Sequence, residues 1–433
     1  MKFLLKQLKD VKKGGSKTFF FKIFLSLKYI IKLPFFIYGL LFCLLFKIIK
    51  PFIKFKVQQI PAENFGDFLH LTSLYYIKKK ILKEKEYEGI DLLFIKSVFY
   101  NKQIKKMFSR KLFILPELLI KPIFEVIQLF PFFQDLKIPI FSNRLEYDED
   151  NLFEKYKSLN FTNSEISKGE ILLNKFGLKK GQKFICLAVR DKKFSNLKSE
   201  ILSTDNVEAN NFRNYEIENF LSAAEFCTKK GLFVFRMGKE AQQKINTNNP
   251  MIIDYANSEF KSDFMDIFLG SNCEFCISTS YGFDHIPYVF NKPMAMITVP
   301  VVDFRAHSKR IFILSRRHVD VQTGSDLSLK EIFMRGLAFA DSTDDYSKQK
   351  VKIIEPKSDE IKDFIIEFYN KIYKKQDFSK DEVQLQEKFK NNYLKIFRTS
   401  NYFNKKKHYK NLHKNFSSYF STTFLKNNKN WLS

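Results

Sequence analysis

The residue types that suit phosphate binding follow three apolar runs of the chain. Arginine side chains form paired hydrogen bonds with phosphate oxygens, a glycine lets backbone N–H groups approach, and hydroxyls before a helix complete an anion-binding loop. The three loops contain Arg190 and Arg213, then Arg236, Gly238 and Lys239, and then Ser278, Thr279, Ser280 and Gly282. Together these residues predict a site for a ligand that carries a diphosphate.

The same residues also permit a purely structural interpretation. Arg190 and Arg236 have carboxylates within reach in the sequence, at Asp191, Asp254 and Asp284. The arginines would then form ion pairs within the protein, and the Ser-Thr-Ser run would cap the helix that follows it. The sequence leaves both interpretations open.

An earlier segment has the residue types of a loop between a first strand and a first helix. It contains Glu63, Gly66, Asp67 and His70. Gly66 allows a close approach of another group, and Asp67 is an acid that could take a proton from an incoming hydroxyl. A cap at the start of the helix is the alternative role for Asp67.

These residues require an alternation of strands and helices to position them. Continuous apolar runs predict buried parallel strands, and apolar residues at helical spacing predict the helices between them. The predicted strands are 91–95, 184–189, 232–235, 251–253, 275–278 and 293–299, and the predicted helices are 165–176, 215–230, 261–269 and 359–373. The fold class is therefore α/β with a doubly wound parallel sheet, whose ligands bind beyond the carboxyl ends of the strands.

A length of 433 residues predicts two packed domains with extensions. We divide the chain into a hydrophobic, basic helical segment (1–57), an amino-terminal α/β domain (58–175), a second α/β domain (176–345) and carboxyl-terminal helices with a basic tail (346–433). Aromatic residues throughout the tail predict that it packs on the body of the protein.

The first segment contains an uncharged run from Leu33 to Phe46 with lysines on both sides. As a helix this run is about 21 Å long, shorter than the hydrocarbon core of a bilayer at about 30 Å. The segment also contains Pro34 and Pro51, and proline disrupts a helix except in its first turn. We therefore expect it to associate with an anionic membrane surface as an in-plane or re-entrant helix pair, in preference to a spanning helix. A buried hairpin that covers the globular body is the alternative.

Composition narrows the possible partners. The formal net charge of +26 favours an acidic partner, but the basic residues are spread along the chain, so nucleic acid is not expected. Five scattered cysteines indicate a reducing compartment, and Cys273 and Cys276 are interpreted as buried strand residues. His307 and His318 have no clear carboxylate partner at ligand spacing, so no metal site is expected. The sequence has no P-loop lysine motif and no G-x-G-x-x-G fingerprint, and no cofactor is expected.

Several stretches resemble a family of bacterial glycosyltransferases found with surface-polysaccharide genes. The resemblance is carried by Arg213–Tyr215, Gly231–Gly238, Asp254–Ser258, Ser262–Asp266, Cys276–Gly282, Ser358–Ile361 and Phe424–Leu432. More distantly the chain resembles the heptosyltransferases of lipopolysaccharide synthesis. The resemblance implies two Rossmann-like domains that face a cleft, the arrangement called GT-B.

The resemblance also implies a role for each loop. Gly66 and Asp67 would face the acceptor, while Arg236, Gly238, Lys239 and the Ser278–Gly282 loop would hold the diphosphate of a nucleotide-sugar. We expect metal-independent transfer to a lipid-linked or polysaccharide acceptor, by a peripheral or monotopic protein on the cytoplasmic face of the inner membrane. A non-catalytic scaffold for polysaccharide assembly with the same fold is the alternative.

Overall fold

The computed structural model describes residues 18, 31–97, 99, 101–142, 151–190, 208–238, 244–299, 308–340, 342–400 and 416–432. The chain forms two compact units, and neither is continuous in sequence. The first unit comprises Met1–Glu63, Lys78–Phe99 and Ser109–Ser142, and the second comprises Asn64–Ile77, Tyr100–Phe108 and Asn143–Ser433. The predicted division into consecutive ranges does not describe this interleaving, and the predicted arrangement of two domains across a cleft stays a prediction.

The first unit is built on a three-stranded parallel sheet. Its strands are β1 (Phe55–Gln59), β2 (Ile90–Phe94) and β3 (Ile114–Leu115), in that order across the sheet. Two helices pack on it, α1 (Ile31–Ile49 in its described part) and α4 (Glu117–Leu129). The core contains Cys43 and Phe46 of α1, Val57, Phe94 and Ile123.

Helix α1 is long and apolar enough to cross a membrane by length and composition alone. It has 19 residues and a mean hydropathy of 2.0, and only 17% of its most apolar 18-residue stretch is buried. The apolar run predicted as a helix from Leu33 to Phe46 therefore lies in a helix, as expected.

The second unit is built on a seven-stranded sheet in which every pairing is parallel. Its order is β12-β9-β8-β7-β4-β5-β6. The central strands are buried on both faces, which explains their uninterrupted apolar sequences. The strands are β4 (Lys183–Ala188), β5 (Leu232–Met237), β6 (Ile252–Ile253), β7 (Cys276–Ser278), β8 (Met294–Thr298), β9 (Ile311–Ser315) and β12 (Tyr419–Phe420).

Helices connect and cover these strands. They are α2 (Phe65–Tyr76), α3 (Lys102–Ser109), α5 (Leu152–Lys155), α6 (Asn163–Lys175), α7 (Leu221–Lys229), α8 (Asp263–Asn272), α9 (His285–Val289), α10 (Leu329–Met334), α11 (Thr343–Lys348), α12 (Ser358–Phe368), α13 (Lys380–Thr399) and α14 (Thr422–Asn427). Two further strands, β10 (Arg317–Asp320) and β11 (Val351–Ile354), form an antiparallel pair. The α/β class and the doubly wound sheet are confirmed. The prediction of helices with a basic tail over 346–433 is incomplete, because this region also contains β11 and β12.

The order in which the chain adds strands to the sheet reverses between β4 and β7. From β4 the chain continues to β5 and β6 on one side, and it then returns to β7, β8 and β9 on the other side. The two adjacent strands thus diverge into opposite halves of the sheet. The crevice at their carboxyl ends is where ligands bind in folds of this kind.

The described end of the carboxyl-terminal segment, residues 416–432, packs within the second unit, as its aromatic residues predicted. Strand β12 extends the sheet beside β9, and Trp431 is buried. The buried Glu367 carboxylate of α12 lies at the start of α14. It accepts hydrogen bonds from Ser421 Oγ at 2.9 Å, from the Thr422 backbone N–H at 2.8 Å and from the Thr422 hydroxyl.

Replacement of Glu367 by Gln should therefore destabilise the second unit. An amide retains one acceptor oxygen but points N–H groups at donors, so we expect a loss of about 2 kcal/mol in the free energy of unfolding. The measurement is urea denaturation followed by the fluorescence of Trp431, the only tryptophan. Asp363→Asn, an exposed residue of the same helix, is the matched control. Equal midpoints for the two variants would contradict this role.

Candidate functional site

The site residues predicted after β4 and β7 lie together at the point where the strand order reverses. The Arg190 backbone N–H donates to Thr279 Oγ1 at 2.9 Å, and Thr279 N–H donates to the Ala188 carbonyl at 3.0 Å. The buried Arg190 side chain reaches Asn214, with Nε 3.3 Å from its Oδ1. Arg190 and Thr279 therefore lie together, as their positions after parallel strands predicted.

Arg213 joins the same place from a separate segment. Its Nη2 donates to the Ser280 carbonyl oxygen at 2.6 Å. This contact brings residues 208–213 onto the loop after β7. A guanidinium group and the Ser278–Gly282 loop are thus adjacent at the carboxyl edge of the sheet.

The loop after β7 is held by a fully buried acid. Asp284 Oδ2 accepts from Ser278 Oγ at 3.0 Å and from the Tyr281 N–H at 3.1 Å. Ser280 has a φ of +58°, a left-handed conformation that a non-glycine residue rarely adopts and that concentrates at ligand sites. The Ser278 hydroxyl therefore supports the loop through Asp284, a structural role that differs from the helix cap that the sequence left open.

Arg236 lies near the end of β5 and is only 2% exposed. Its Nη1 is 3.3 Å from Asp254 Oδ1, which is the ion pair that the sequence offered as the alternative. The Tyr281 hydroxyl donates to the Met237 carbonyl at 3.3 Å, so the β7 loop also contacts the end of β5, next to Gly238. Lys239 and Asp191 lie outside the described residues. A role for Arg236 in ligand binding stays a prediction.

Helix α2 carries three of the four residues predicted to face the acceptor, and it belongs to the second unit. A Cβ on Gly66 would lie 2.6 Å from Cδ2 of His285, so only glycine fits without movement. The His70 ring stacks on Tyr288 with 5.6 Å between centroids. The sequence assigned Gly66, Asp67 and His70 to an amino-terminal domain, and this packing against α9 is why the structure groups them with the second unit.

Gly66 also approaches the predicted phosphate loop. A Cβ on Gly282 would lie 4.0 Å from the Gly66 backbone nitrogen. The half-buried Asp67 is therefore close in the chain to this contact, and its Oδ2 accepts from Asn64 Nδ2 at 3.2 Å. Glu63 lies in the first unit, where its Oε1 accepts from Gln59 at 2.7 Å and pairs with Lys96 at 2.8 Å.

Two residues at this edge were missed by the sequence analysis. Arg316 follows β9 and is buried, with Nη1 donating to the Phe212 and Asn214 carbonyls at 2.8 and 3.2 Å. Burial raises the pKa of Tyr215 to about 12, so its ring stays a neutral phenol beneath the Arg316 guanidinium, 4.6 Å away. Arg316 thus fixes the segment that presents Arg213.

The two residues were missed for different reasons. Arg316 follows the apolar run of β9 as Arg190 follows that of β4, and it was missed because β9 was not predicted as a strand. The second missed residue, His285, lies three residues after Gly282 in the sequence. Its importance depends on its contact with Gly66, which no local sequence pattern predicts.

A cavity of about 740 Å³ opens at the opposite, amino edge of the sheet. Its lining includes Phe161, Asn272, Phe290, Lys292 and Arg310. None of the predicted site residues lines it. Among the described residues, no group of three or more histidine, cysteine or acidic side chains could hold a metal ion.

Comparison with known proteins finds partial similarity to two solved structures. One is the ADP-heptose lipopolysaccharide heptosyltransferase II of E. coli, with 13% identity, a TM-score of 0.34, and coverage of 60% of this chain and 90% of that chain. The other is the glycosyl transferase family 9 protein of Veillonella parvula DSM 2008, with 10% identity, a TM-score of 0.40, and coverage of 74% and 97%.

Both neighbours are glycosyltransferases, and one is a heptosyltransferase, the kind of enzyme that the chain distantly resembles in sequence. No family model and no curated protein matches the chain. At TM-scores below 0.5 the two structures establish neither the detailed fold nor the activity of this chain. The functional argument therefore rests on its own residues.

The contact between Gly66 and His285 can be tested by a double-mutant cycle. Gly66→Ala forces the His285 ring to move, so we expect a loss of about 1–3 kcal/mol in the free energy of unfolding. In a His285→Ala background the same substitution should cost much less, because the clash is gone. The measurement is urea denaturation followed by Trp431 fluorescence. Equal costs in the two backgrounds, within about 0.5 kcal/mol, would show that the residues do not touch.

Proposed function

We propose that this chain is a glycosyltransferase that moves a sugar from a nucleotide-sugar to a lipid-linked or polysaccharide acceptor. The observation that carries the proposal is the meeting of Arg190, Arg213 and the Ser278–Gly282 loop where β4 and β7 diverge. Cationic side chains beside a tight loop at such a crevice suit a diphosphate. A nucleotide-sugar is the substrate class that carries a diphosphate and supplies a glycosyl group.

The cationic groups would act on the leaving group. When the bond between the sugar and the diphosphate breaks, negative charge grows on the diphosphate oxygens. Fixed guanidinium groups stabilise that charge without reorganisation. Arg190 and Arg213 are held in place by Asn214 and by the Ser280 carbonyl. Arg236 lies near the end of the neighbouring strand β5, and Lys239 comes two residues after that strand in the sequence. This arrangement would make a metal ion unnecessary.

Asp67 would act on the acceptor. It is adjacent in the chain to Gly66, whose backbone nitrogen lies near Gly282 of the phosphate loop. A carboxylate at that place would accept the proton of the attacking hydroxyl. His285 packs against the same turn and would help to position α2 beside the donor loop. We place the reaction on the cytoplasmic face of the inner membrane, where a lipid-linked acceptor is accessible.

A non-catalytic scaffold remains the second candidate, and one observation favours it. Two residues assigned to chemistry are engaged by neighbours in the structure: Arg236 by Asp254, and Asp67 by Asn64. A protein that only binds a glycan precursor would tolerate such contacts. The two candidates differ in whether donor is consumed.

Thermal shift with a panel of nucleotide-sugars tests the donor site. We expect at least one nucleotide-sugar to stabilise the protein, and we expect Arg213→Ala to weaken its binding by about tenfold or more, since a charge-assisted hydrogen bond contributes about 1.5–3 kcal/mol. The matched control is Arg310→Ala, which removes an equal charge at the amino edge of the same sheet. A panel without any stabilising ligand, or equal responses of the two variants, would refute the site.

Release of the nucleoside diphosphate then separates the enzyme from the scaffold. The wild type should consume the stabilising nucleotide-sugar in the presence of a membrane extract that contains acceptor. Asp67→Asn should keep the thermal shift and lose about 10²-fold or more of the rate, the usual contribution of a general base. Binding without consumption by the wild type would favour the scaffold, and full activity of Asp67→Asn would remove Asp67 from the mechanism.

A further inference from the structure

One side of α1 is a continuous apolar surface exposed to solvent. Its residues recur at intervals of three and four positions, which places them on one face of the helix. We call this face the α1 stripe, and each of its side chains is between 42 and 73% exposed: Leu33, Ile37, Leu41, Leu44, Leu45 and Ile48. Large apolar surfaces of this kind mark a contact with a protein or a membrane.

The other side of α1 is fixed to the first unit. A Cβ on Gly39 would lie 2.4 Å from the Pro122 carbonyl oxygen of α4, so the two helices are in close contact. Cys43 Sγ donates to the Ile123 carbonyl at 3.6 Å, and Phe46 stacks on Phe55 of β1 with 4.6 Å between ring centroids. Helix α1 is therefore an integral part of an α/β unit and not a free extension.

This packing is incompatible with α1 crossing a bilayer. Lys47 and Lys50 pair with Asp135 at 2.9 and 2.6 Å, beside the same helix. A spanning α1 would bring Asp135, α4 and the edge of a three-stranded sheet into hydrocarbon, where unsatisfied backbone groups and charges are costly. The helix has the length to span, but its attachments require it to lie along a surface.

A second part of the chain extends the apolar surface. The ring of Phe130 lies 6.3 Å from that of Phe36, and the Lys47 ammonium group lies 4.4 Å from the centre of the Phe132 ring. Leu129 and Phe132 are 64 and 65% exposed. The surface beside α1 therefore includes the end of α4 and the turn after it.

We propose that the first unit docks on an anionic lipid bilayer, with α1 in the plane of the membrane and the α1 stripe, Leu129 and Phe132 inserted at the boundary of headgroups and acyl chains. The positive charge of the amino-terminal residues favours an anionic lipid surface over a neutral one. Residues 1–59 contain thirteen lysines and a single acid, Asp10. Apolar insertion beside a strong positive charge is the combination that binds anionic lipid.

Vesicle flotation of the full chain tests the surface. We expect binding to vesicles of phosphatidylcholine with phosphatidylglycerol and weaker binding to phosphatidylcholine alone. The triple variant Leu41→Gln, Leu45→Gln, Ile48→Gln should bind at least about tenfold more weakly, and Leu129→Gln with Phe132→Gln should also weaken binding. Val321→Gln with Met334→Gln, two exposed apolar residues of the second unit, is the matched control and should bind as the wild type does.

The depth of α1 tests its orientation. Leu33, Leu41 and Ile48 are replaced one at a time by tryptophan, and quenching by brominated lipids is measured against the wild type, whose buried Trp431 gives a constant background. Leu33 and Ile48 are about 22 Å apart along a helix. In-plane docking predicts similar shallow depths at all three positions. A Leu41→Trp signal that is about 10 Å deeper than the other two would show a spanning helix and overturn the proposal.

Two further results would also overturn it. One is wild-type flotation that the triple variant does not reduce, because the α1 stripe would then play no part. The other is the absence of flotation together with a concentration-dependent dimer that the triple variant dissolves, because the occupant would then be a second copy of the chain. Neither outcome depends on donor binding, so failure here is distinguishable from failure of the proposed transferase activity.

Discussion

The hydrogen bond from the Arg213 guanidinium to the Ser280 carbonyl connects two parts of the chain that are far apart in sequence. One part is the segment that precedes α7, and the other is the loop after β7. Because β4 and β7 are neighbours that lead into opposite halves of the sheet, their carboxyl ends leave a crevice. The contact closes one side of that crevice with a cation, and Arg316 holds the segment in place from β9.

The site therefore depends on an all-parallel sheet more than on any single side chain. Parallel order brings the ends of β4, β5, β7 and β9 to one edge, and each of these strands has a polar or cationic residue within two positions of its last residue. Asp284 holds the loop after β7 in place by accepting a hydrogen bond from Ser278, and the tight turn of this loop requires the strained, left-handed conformation of Ser280. An edge of this kind can hold an anion whose charge changes during a reaction.

Much of the sheet could be predicted from sequence, because buried parallel strands are written as uninterrupted apolar runs. That signal located β4, β5, β7 and β8 and the residues that follow them. It failed for β12, which has two residues and owes its strand conformation to pairing with β9. Strand β9 was overlooked, although residues 311–314 are an apolar run of the same kind. Arg316 was missed for that reason. The membership of α2 in the second unit could not be predicted either, since the contact between Gly66 and His285 joins positions more than two hundred residues apart.

The two units present different chemistry, and each limits what the chain can do. The first unit offers an apolar surface with lysines, while the second offers a polar crevice at the carboxyl edge of its sheet. A crystal structure of the chain with a bound nucleoside diphosphate tests the central claim most directly. We predict that the phosphates lie in the crevice between β4 and β7, within hydrogen-bond distance of Arg213 and the Ser278–Gly282 loop. Phosphates bound instead in the cavity at the amino edge, beside Lys292 and Arg310, would contradict the account.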